Sequence, residues 1–262
     1  MQRGLLRILL LIVAAGFVLN ALDAAEADSW GTIKGQVVWD DKDVPVQAVI
    51  KVDKDKEACE KDGKLLDDKL VVNPKNKGVR WCVVYLMNVK GFEKAIPIHP
   101  KLKALKQKEV TIDQPCCQFV PHVLAMREGQ TLLVKNSATI AHNVNIIGGA
   151  KPPNLNQIVP PGAKLKVADI AARPIPITVK CDIHPWMYGR VAVLNHPYFA
   201  VTDENGNFEI KDAPAGEFRL VIYNDRWIIG DSTPSRNGKK ITIEAGKTTD
   251  LGKFMMKPEK PD

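Results

Sequence analysis

The sequence predicts an all-β protein built from sandwiches. Three observations carry this. Short runs rich in Val, Ile, Thr and aromatic residues recur along the chain, several of them alternating apolar and polar. Turn residues punctuate them at close spacing. Helical periodicity is nearly absent after the first thirty residues. Many short strands with frequent turns pack as two sheets face to face. The composition is globular, at 45% hydrophobic and 26% charged over 262 residues, enough for two domains.

In chain order, GTIKGQVVW (31–39) alternates and is a strand. VPVQAVIKV (44–52) follows a DDKD turn and is expected to be another. Residues 51–69 are dense in both charge signs and read as a surface excursion pinned by Cys59. VRWCVVYLMNV (79–89) is β-branched and aromatic. HVLAM (122–126), QTLLVKN (130–136) and HNVNII (142–147) follow, then KLKVADI (164–170), IPITVKC (175–181) and RVAVL (190–194). A last meander runs through FAVTD, FEI, EFRLVIY (217–223), KKITIEAG and LGKFMM. Asn205-Gly206 reads as a hairpin turn within it, and Gly216 closes another. Residues 258–262 read as a disordered tail.

Residues 1–27 have the pattern of a cleaved signal peptide. Arg3 and Arg7 precede an apolar run of twelve, Ile8 to Leu19, and Ala25-Glu26-Ala27 is a small-x-small cleavage site. The run is short for a membrane span, and no later segment is long enough. The expectation is a periplasmic or secreted protein with no membrane span after cleavage. The net charge is +7. A lysine-rich solvated surface, as in KLKALKQK (101–108), accounts for it; docking to an acidic partner is the other reading. No nucleic-acid motif accompanies the charge, so nucleic acid is not expected as a partner.

Five cysteines, Cys59, Cys82, Cys116, Cys117 and Cys181, leave one unpaired in an oxidising compartment. If a metal holds Cys181, four remain, and four allow three pairings. Joining the neighbours Cys116 and Cys117 is disfavoured by disulfide geometry. The expectation is a Cys59–Cys117 disulfide, with Cys82–Cys116 as a weaker second bridge.

The stretch CDIHPWM places Cys181, His184 and Met187 within seven residues. Thiolate, imidazole and thioether together select a soft metal. Two histidines, one cysteine and a weak axial methionine make the blue-copper electron-transfer site. The second histidine must come from elsewhere, and His142, after QTLLVKNSATIA and before Asn143, fits. Zinc matches a thioether poorly, and nothing orients a base or an oxyanion hole for a Cys181 nucleophile.

At this point residues 108–195 resemble the cupredoxins. The resemblance rests on an ordered set: Phe119-x-Pro121, a strand, Gly129, Thr131-Leu132, Asn136, His142-Asn143-Val144, then C-x2-H-x2-M. It implies a Greek-key sandwich holding one type 1 copper at His142, Cys181, His184 and Met187. It implies that Asn143 ties the two ligand loops together, and that an exposed edge of His184 is the electron doorway. His122, directly after Phe-Val-Pro, is either an extra ligand or hydrogen-bond donor near the metal, or a strand-surface residue.

HPYFAVTDENGNFEIKDAPAGEFRLVIY resembles the prealbumin-like or carboxypeptidase-regulatory-like β-sandwich, also grouped with carbohydrate-binding-like folds. GTIKGQVVWDDKDVPVQAVIKV resembles the opening of the same module, so 31–95 and 197–257 are expected to build one sandwich around the inserted cupredoxin unit. Together these resemble exported bacterial cupredoxin-like proteins of the methylamine-utilisation-like group. The chain departs from that group after FRL, where Tyr223-Asn224-Asp225 stands in place of Trp-His-Glu. The expected division is a signal at 1–27, an N-terminal β segment at 28–107, a copper domain at 108–195 and a second sandwich at 196–257.

The functional expectation is an electron carrier shuttling single electrons between redox partners, and not an enzyme. The competing expectations are a non-catalytic carbohydrate- or protein-binding module whose cupredoxin part is structural, and a copper carrier.

Overall fold

A computed structural model describes residues 29–147, 155–225, 228–229 and 238–257. The expected signal peptide and tail lie outside them. The N-terminal part forms β1 (Trp30–Trp39), a one-turn helix α1 (Lys56–Cys59), β2 (Val71–Val72), β3 (Val79–Arg80) and β4 (Val83–Asn88), then a second single turn, α2 (Pro100–Lys103). The middle forms β5 (Glu109–Ile112), β6 (Val123–Arg127), β7 (Thr131–Lys135), β8 (His142–Ile147), β9 (Leu155–Val159), β10 (Lys164–Val167), β11 (Ile177–Lys180) and β12 (Tyr188–Leu194). The C-terminal part forms β13 (Phe199–Val201), β14 (Asn207–Pro214), β15 (Gly216–Tyr223), β16 (Ile228–Ile229), β17 (Lys239–Ile243) and β18 (Thr248–Met256). The protein is all-β.

Four sheets make two sandwiches. In the first, β10-β7-β5 faces β6-β12-β11-β8-β9. In the second, β14-β1-β18 faces β13-β4-β15-β16, with β17 also on β15. The second thus takes strands from both ends of the chain: β1 pairs antiparallel with β14 and parallel with β18. Alternation in the strands explains each core. Leu132 and Val134 of β7 meet Val144, Ile146, Val179, Val191 and Val193. Ile33 and Val37 of β1 meet Val84, Leu86, Leu220 and Ile222.

The runs VVYLM of β4 and VAVL of β12 have no polar face because both faces are covered. Val84 and Leu86 point into the second core, while Val83, Tyr85 and Met87 point the other way. Val191 and Val193 point into the first core, while Ala192 and Leu194 point out of it. The two outward sets meet each other, with Val123 and Val221, in a third cluster. The central sheets of the sandwiches are therefore packed back to back. Each fully buried aliphatic or aromatic side chain contributes roughly 1.5–3 kcal/mol, so this seam couples the sandwiches. The Tyr85 hydroxyl donates to the Pro174 carbonyl across it at 2.8 Å.

Several sequence expectations change. Asn205-Gly206 does turn the chain, with φ +76° at Gly206, where an added Cβ would lie 2.2 Å from the Val37 carbonyl oxygen. Yet β13 and β14 belong to facing sheets, as do β14 and β15, so both turns are arches between sheets and not hairpins. Alternation marks a strand but not its partner. Residues 44–52 form no strand; a single bridge joins Val49 to Leu66. The charged excursion after them is no mere surface loop, because Val52, Cys59 and Leu65 are buried in the first core. Cys59 and Cys117 form a disulfide, Cα to Cα 5.2 Å. The expected Cys82–Cys116 bridge is absent, and both are free thiols. Cys82 sits in the second core and Cys116 next to the first, so the fold keeps them apart. Burial pushes the Cys82 thiol up to about 12.

His196 opens the crossing from β12 to β13. Its Nε2 lies 2.9 Å from the Leu86 carbonyl oxygen, and its Nδ1 accepts from the Tyr198 amide at 3.1 Å. Burial lowers its pKa from 6.5 to about 4. The unfolded chain therefore binds more protons than the native one between those values. Stability falls as the pH drops through that window, by roughly 3 kcal/mol from this group. The thermal midpoint should fall on the order of 10 °C between pH 7 and pH 4; a midpoint that rises on acidification would contradict this.

Among the described residues no helix is long and apolar enough to cross a membrane.

Candidate metal centre

Strand pairing brings the two ligand segments together. β11 is hydrogen-bonded to β8 on one side and β12 on the other, with Lys180 opposite Asn145. Continuing that antiparallel register past Lys180 sets Cys181 beside Val144 and Asp182 beside Asn143, so that the loop then passes His142. The loop from Cys181 to Met187 then closes on itself: the Cys181 amide donates to the Met187 carbonyl at 3.0 Å, and the Met187 amide to the His184 carbonyl at 2.9 Å. Pro185 suits such a tight turn.

His142 Nδ1 lies 3.0 Å from His184 Nδ1, and Cys181 Sγ lies 3.9 Å from the same nitrogen. One ligand atom from each of His142, Cys181 and His184 falls within a 4.8 Å sphere of mutual distances. Bonds of about 2.0–2.3 Å from one ion leave its ligand atoms roughly 3–4 Å apart, so these separations fit a single ion. Both histidines are fully buried, and Cys181 and Met187 nearly so. Burial and the neighbouring His184 lower the pKa of His142 from 6.5 to about 4. Its imidazole is neutral at pH 7, the form that binds metal.

Asn143 clamps the two segments. Its Oδ1 accepts from the amides of Asp182 at 2.7 Å and Ile183 at 3.1 Å, and from the Cys181 thiol at 3.2 Å. Its backbone amide points at Cys181 Sγ at 3.5 Å. Its Nδ2 donates to Asn156 at 2.7 Å. Such contacts fix ligand orientation.

The structure corrects the expectation of an exposed His184 edge. His184 Nε2 lies 2.9 Å from Asp55 Oδ2, beneath the turn that begins α1. A proton on Nε2 donates to that carboxylate and leaves Nδ1 free for a metal, the usual carboxylate–histidine arrangement. Asp55 was not legible as a site residue. The Cys59–Cys117 disulfide, which ties its charged segment to the Phe119 region, was the available signal.

His122 lies outside the metal-ligating groups found among the described residues. Its Nε2 is 2.6 Å from Asp225 Oδ2, and Arg190 Nε donates to the other carboxylate oxygen. The Tyr188 ring stands edge-on to His122, centroids 5.2 Å apart. Burial alone would raise the Asp225 carboxyl, but hydrogen bonds and charge from His122 and Arg190 outweigh it and hold it below the usual range. Asp225 is the third residue of Tyr223-Asn224-Asp225, where the chain departs from the group it resembles. A small cavity lined by His122, Asp68, Tyr188 and Met187 separates this cluster from the metal centre.

Comparison with known proteins gives two likenesses. The family model described as polysaccharide lyase family 4, domain II, matches residues 190–251. That stretch begins inside β12 and ends in β18, leaving out β1 and β4 of the second sandwich. Rhamnogalacturonate lyase B of Emericella nidulans is 36% identical over 95 residues, covering 36% of this chain. The chain spans 13% of the length of that relative. Among solved structures, a purple cupredoxin from Nitrosopumilus maritimus is 20% identical, covering 32% of this chain and 98% of that one, with TM-score 0.28. An oxidised mutant of amicyanin is 19% identical over 35% of this chain and 86% of that one, TM-score 0.30. A copper-containing nitrite reductase from Thermus scotoductus is 22% identical over 37% of this chain and 25% of that one, TM-score 0.30. The expectation that the chain is no enzyme is overturned by the lyase likeness, since the matched relative is a lyase and the matched family model describes a domain of a polysaccharide lyase family.

Proposed function

We propose that the first sandwich binds one copper ion through His142, Cys181, His184 and Met187. The single observation behind this is the convergence of two imidazole nitrogens and a cysteine sulfur in a buried site. Soft sulfur donors with imidazole suit copper better than zinc or a hard cation. Copper in such a site supplies a one-electron Cu(II)/Cu(I) couple. The chain's own part is to hold the ligands still through Asn143, to orient His184 through Asp55, and to exclude water with Trp186, which packs on the first core with its ring centroid 5.2 Å from that of His184. Electrons would pass to a redox partner, with the cationic surface favouring an acidic one. The protein acts outside the cytoplasm, after removal of residues 1–27. Its working units are the metal sandwich of 108–195 and the sandwich that 196–257 builds with strands from 28–107.

A second reading has the stronger support from the comparisons: the second sandwich binds a polysaccharide or a protein surface, as a module of lyase type. Its support is the family match over 190–251. The two readings are compatible on one chain. Metal analysis after dialysis against Cu(II) tests the first; one copper per chain, lost in His142→Ala, is the expected result. Retention on immobilised rhamnogalacturonan, with release of unsaturated product followed in the same sample, tests the second. A chain that retains one copper and ignores the polymer leaves only the first reading standing.

A further inference from the structure

The disulfide lies against the metal centre. Cys59 Sγ, Cys117 Sγ and a ring nitrogen of His184 are all within 4.8 Å of one another, and all three residues are buried. His184 also belongs to the His142–Cys181–His184 group. One imidazole thus stands between two sets of soft donors. Cys59 ends the same turn that covers it: the Asp55 carbonyl accepts from the Ala58 and Cys59 amides, and the Asp55 carboxylate meets His184. That turn is a four-residue helix with no side-chain cap, and residues 53–57 on it are exposed. An isolated single turn is marginal in water, and segments with few buried contacts open first. The disulfide is what fastens it down.

We propose that Cys59–Cys117 is a reducible metal station: once opened by a dithiol, Cys59, Cys117 and His184 bind a Cu(I) ion beside the His142–Cys181 position. The dithiol supplies two electrons and two protons. The Cys59–Cys117 S–S bond breaks, two thiols form, and the dithiol becomes a disulfide. Cu(I) then displaces both thiol protons and binds two thiolates and an imidazole, with no change in its own oxidation state. Two thiolates and a nitrogen favour the cuprous ion. In the oxidised chain the same sulfurs carry no charge and hold no metal. The free thiol of Cys116, next in the chain, is not the reductant, because a lone thiol can only exchange into the disulfide and cannot supply both electrons. The reductant is external and enters as the turn lifts. The redox state of the pair then sets whether copper can wait at this outer position before or after the inner one.

This rests on the copper reading only for the class of ion, and the test separates the two. Cys181→Ser removes the inner thiolate and leaves the outer set intact. The mature variant, oxidised or reduced with dithiothreitol and desalted without oxygen, is titrated with Cu(I) against a chromophoric chelator. Thiols are then alkylated and located by mass spectrometry. The expected result is no bound ion in the oxidised variant and one in the reduced variant. Cu(I) should slow alkylation of Cys59 and Cys117 at least ten-fold and leave Cys116 unchanged. A reduced variant that takes up no Cu(I), or whose Cys59 and Cys117 alkylate at the same rate with it, overturns the proposal. So does a reduced variant whose circular dichroism shows loss of strand. The oxidised chain with Cys181 intact, titrated alongside, reports the inner site alone.

Discussion

Asp225→Ala is expected to lower the unfolding free energy by about 3 kcal/mol. The Asp225 side chain is 3% exposed, His122 4%, and Arg190 22%. Removing the carboxylate leaves a buried guanidinium and an imidazole without their acceptor at the seam between the sandwiches. Losing one partner of a buried pair typically costs 3–5 kcal/mol. The lower end applies, because Arg190 retains some solvent and its NH1 still donates to Thr178. Asp225→Asn restores shape and one acceptor and should recover part of the loss. Denaturant unfolding checks both; a loss under about 0.5 kcal/mol, the scale of ordinary surface substitutions, would mean that the cluster contributes nothing to holding the seam.

Asp55→Ala should behave in the opposite way, with little effect on the fold and a large one on metal. Its carboxylate is 41% exposed, so water entering where it stood can take over the hydrogen bond to the buried His184 Nε2. Yet it is the group that holds His184 by Nε2. Losing the partner of a metal-binding histidine typically weakens metal affinity 10- to 100-fold. Competition against a copper chelator should show that drop, with Asp55→Asn intermediate and the unfolding midpoint unchanged. An affinity unchanged in Asp55→Ala would mean that the packing of Trp186 and the loop alone orient the ring.

The strands were legible because apolar alternation survives in the residues themselves. HNVNII, KLKV and ITVK became β8, β10 and β11 with little change. Sheet membership was not legible. The turns at Asn205-Gly206 and Gly216 look like hairpin turns, and only the facing sheet, supplied by β1 and β4 from far upstream, shows them to be arches. VVYLM and VAVL announced burial on both faces but not what covered the second. VPVQAVIKV alternates well, yet Val44 packs on the second core, Ile50 and Val52 on the first, and Val46 between them is 92% exposed. A residue pattern cannot show which of two cores each end of an alternating segment will meet.

The candidate metal cluster was legible where its residues are chemically unusual together. Cys181, His184 and Met187 share one loop, and His142 begins a strand whose register sets it beside that loop. Asp55 and Asp225 were not, because an acidic residue in a charged segment or at a strand end looks like any solvated carboxylate. Each gains its role only from a long-range contact, Asp55 with His184 and Asp225 with His122. The covered face of His184 follows from the first of these, and it replaces the exposed edge that the family resemblance would suggest.

The most direct measurement is the visible absorption spectrum of the mature chain, from Asp28, after addition of Cu(II), beside Cys181→Ser. An intense thiolate-to-copper band that disappears in the variant is the result expected from the convergence of His142, Cys181 and His184. A folded chain with no copper-dependent band, or one whose band survives the loss of Cys181, would contradict it.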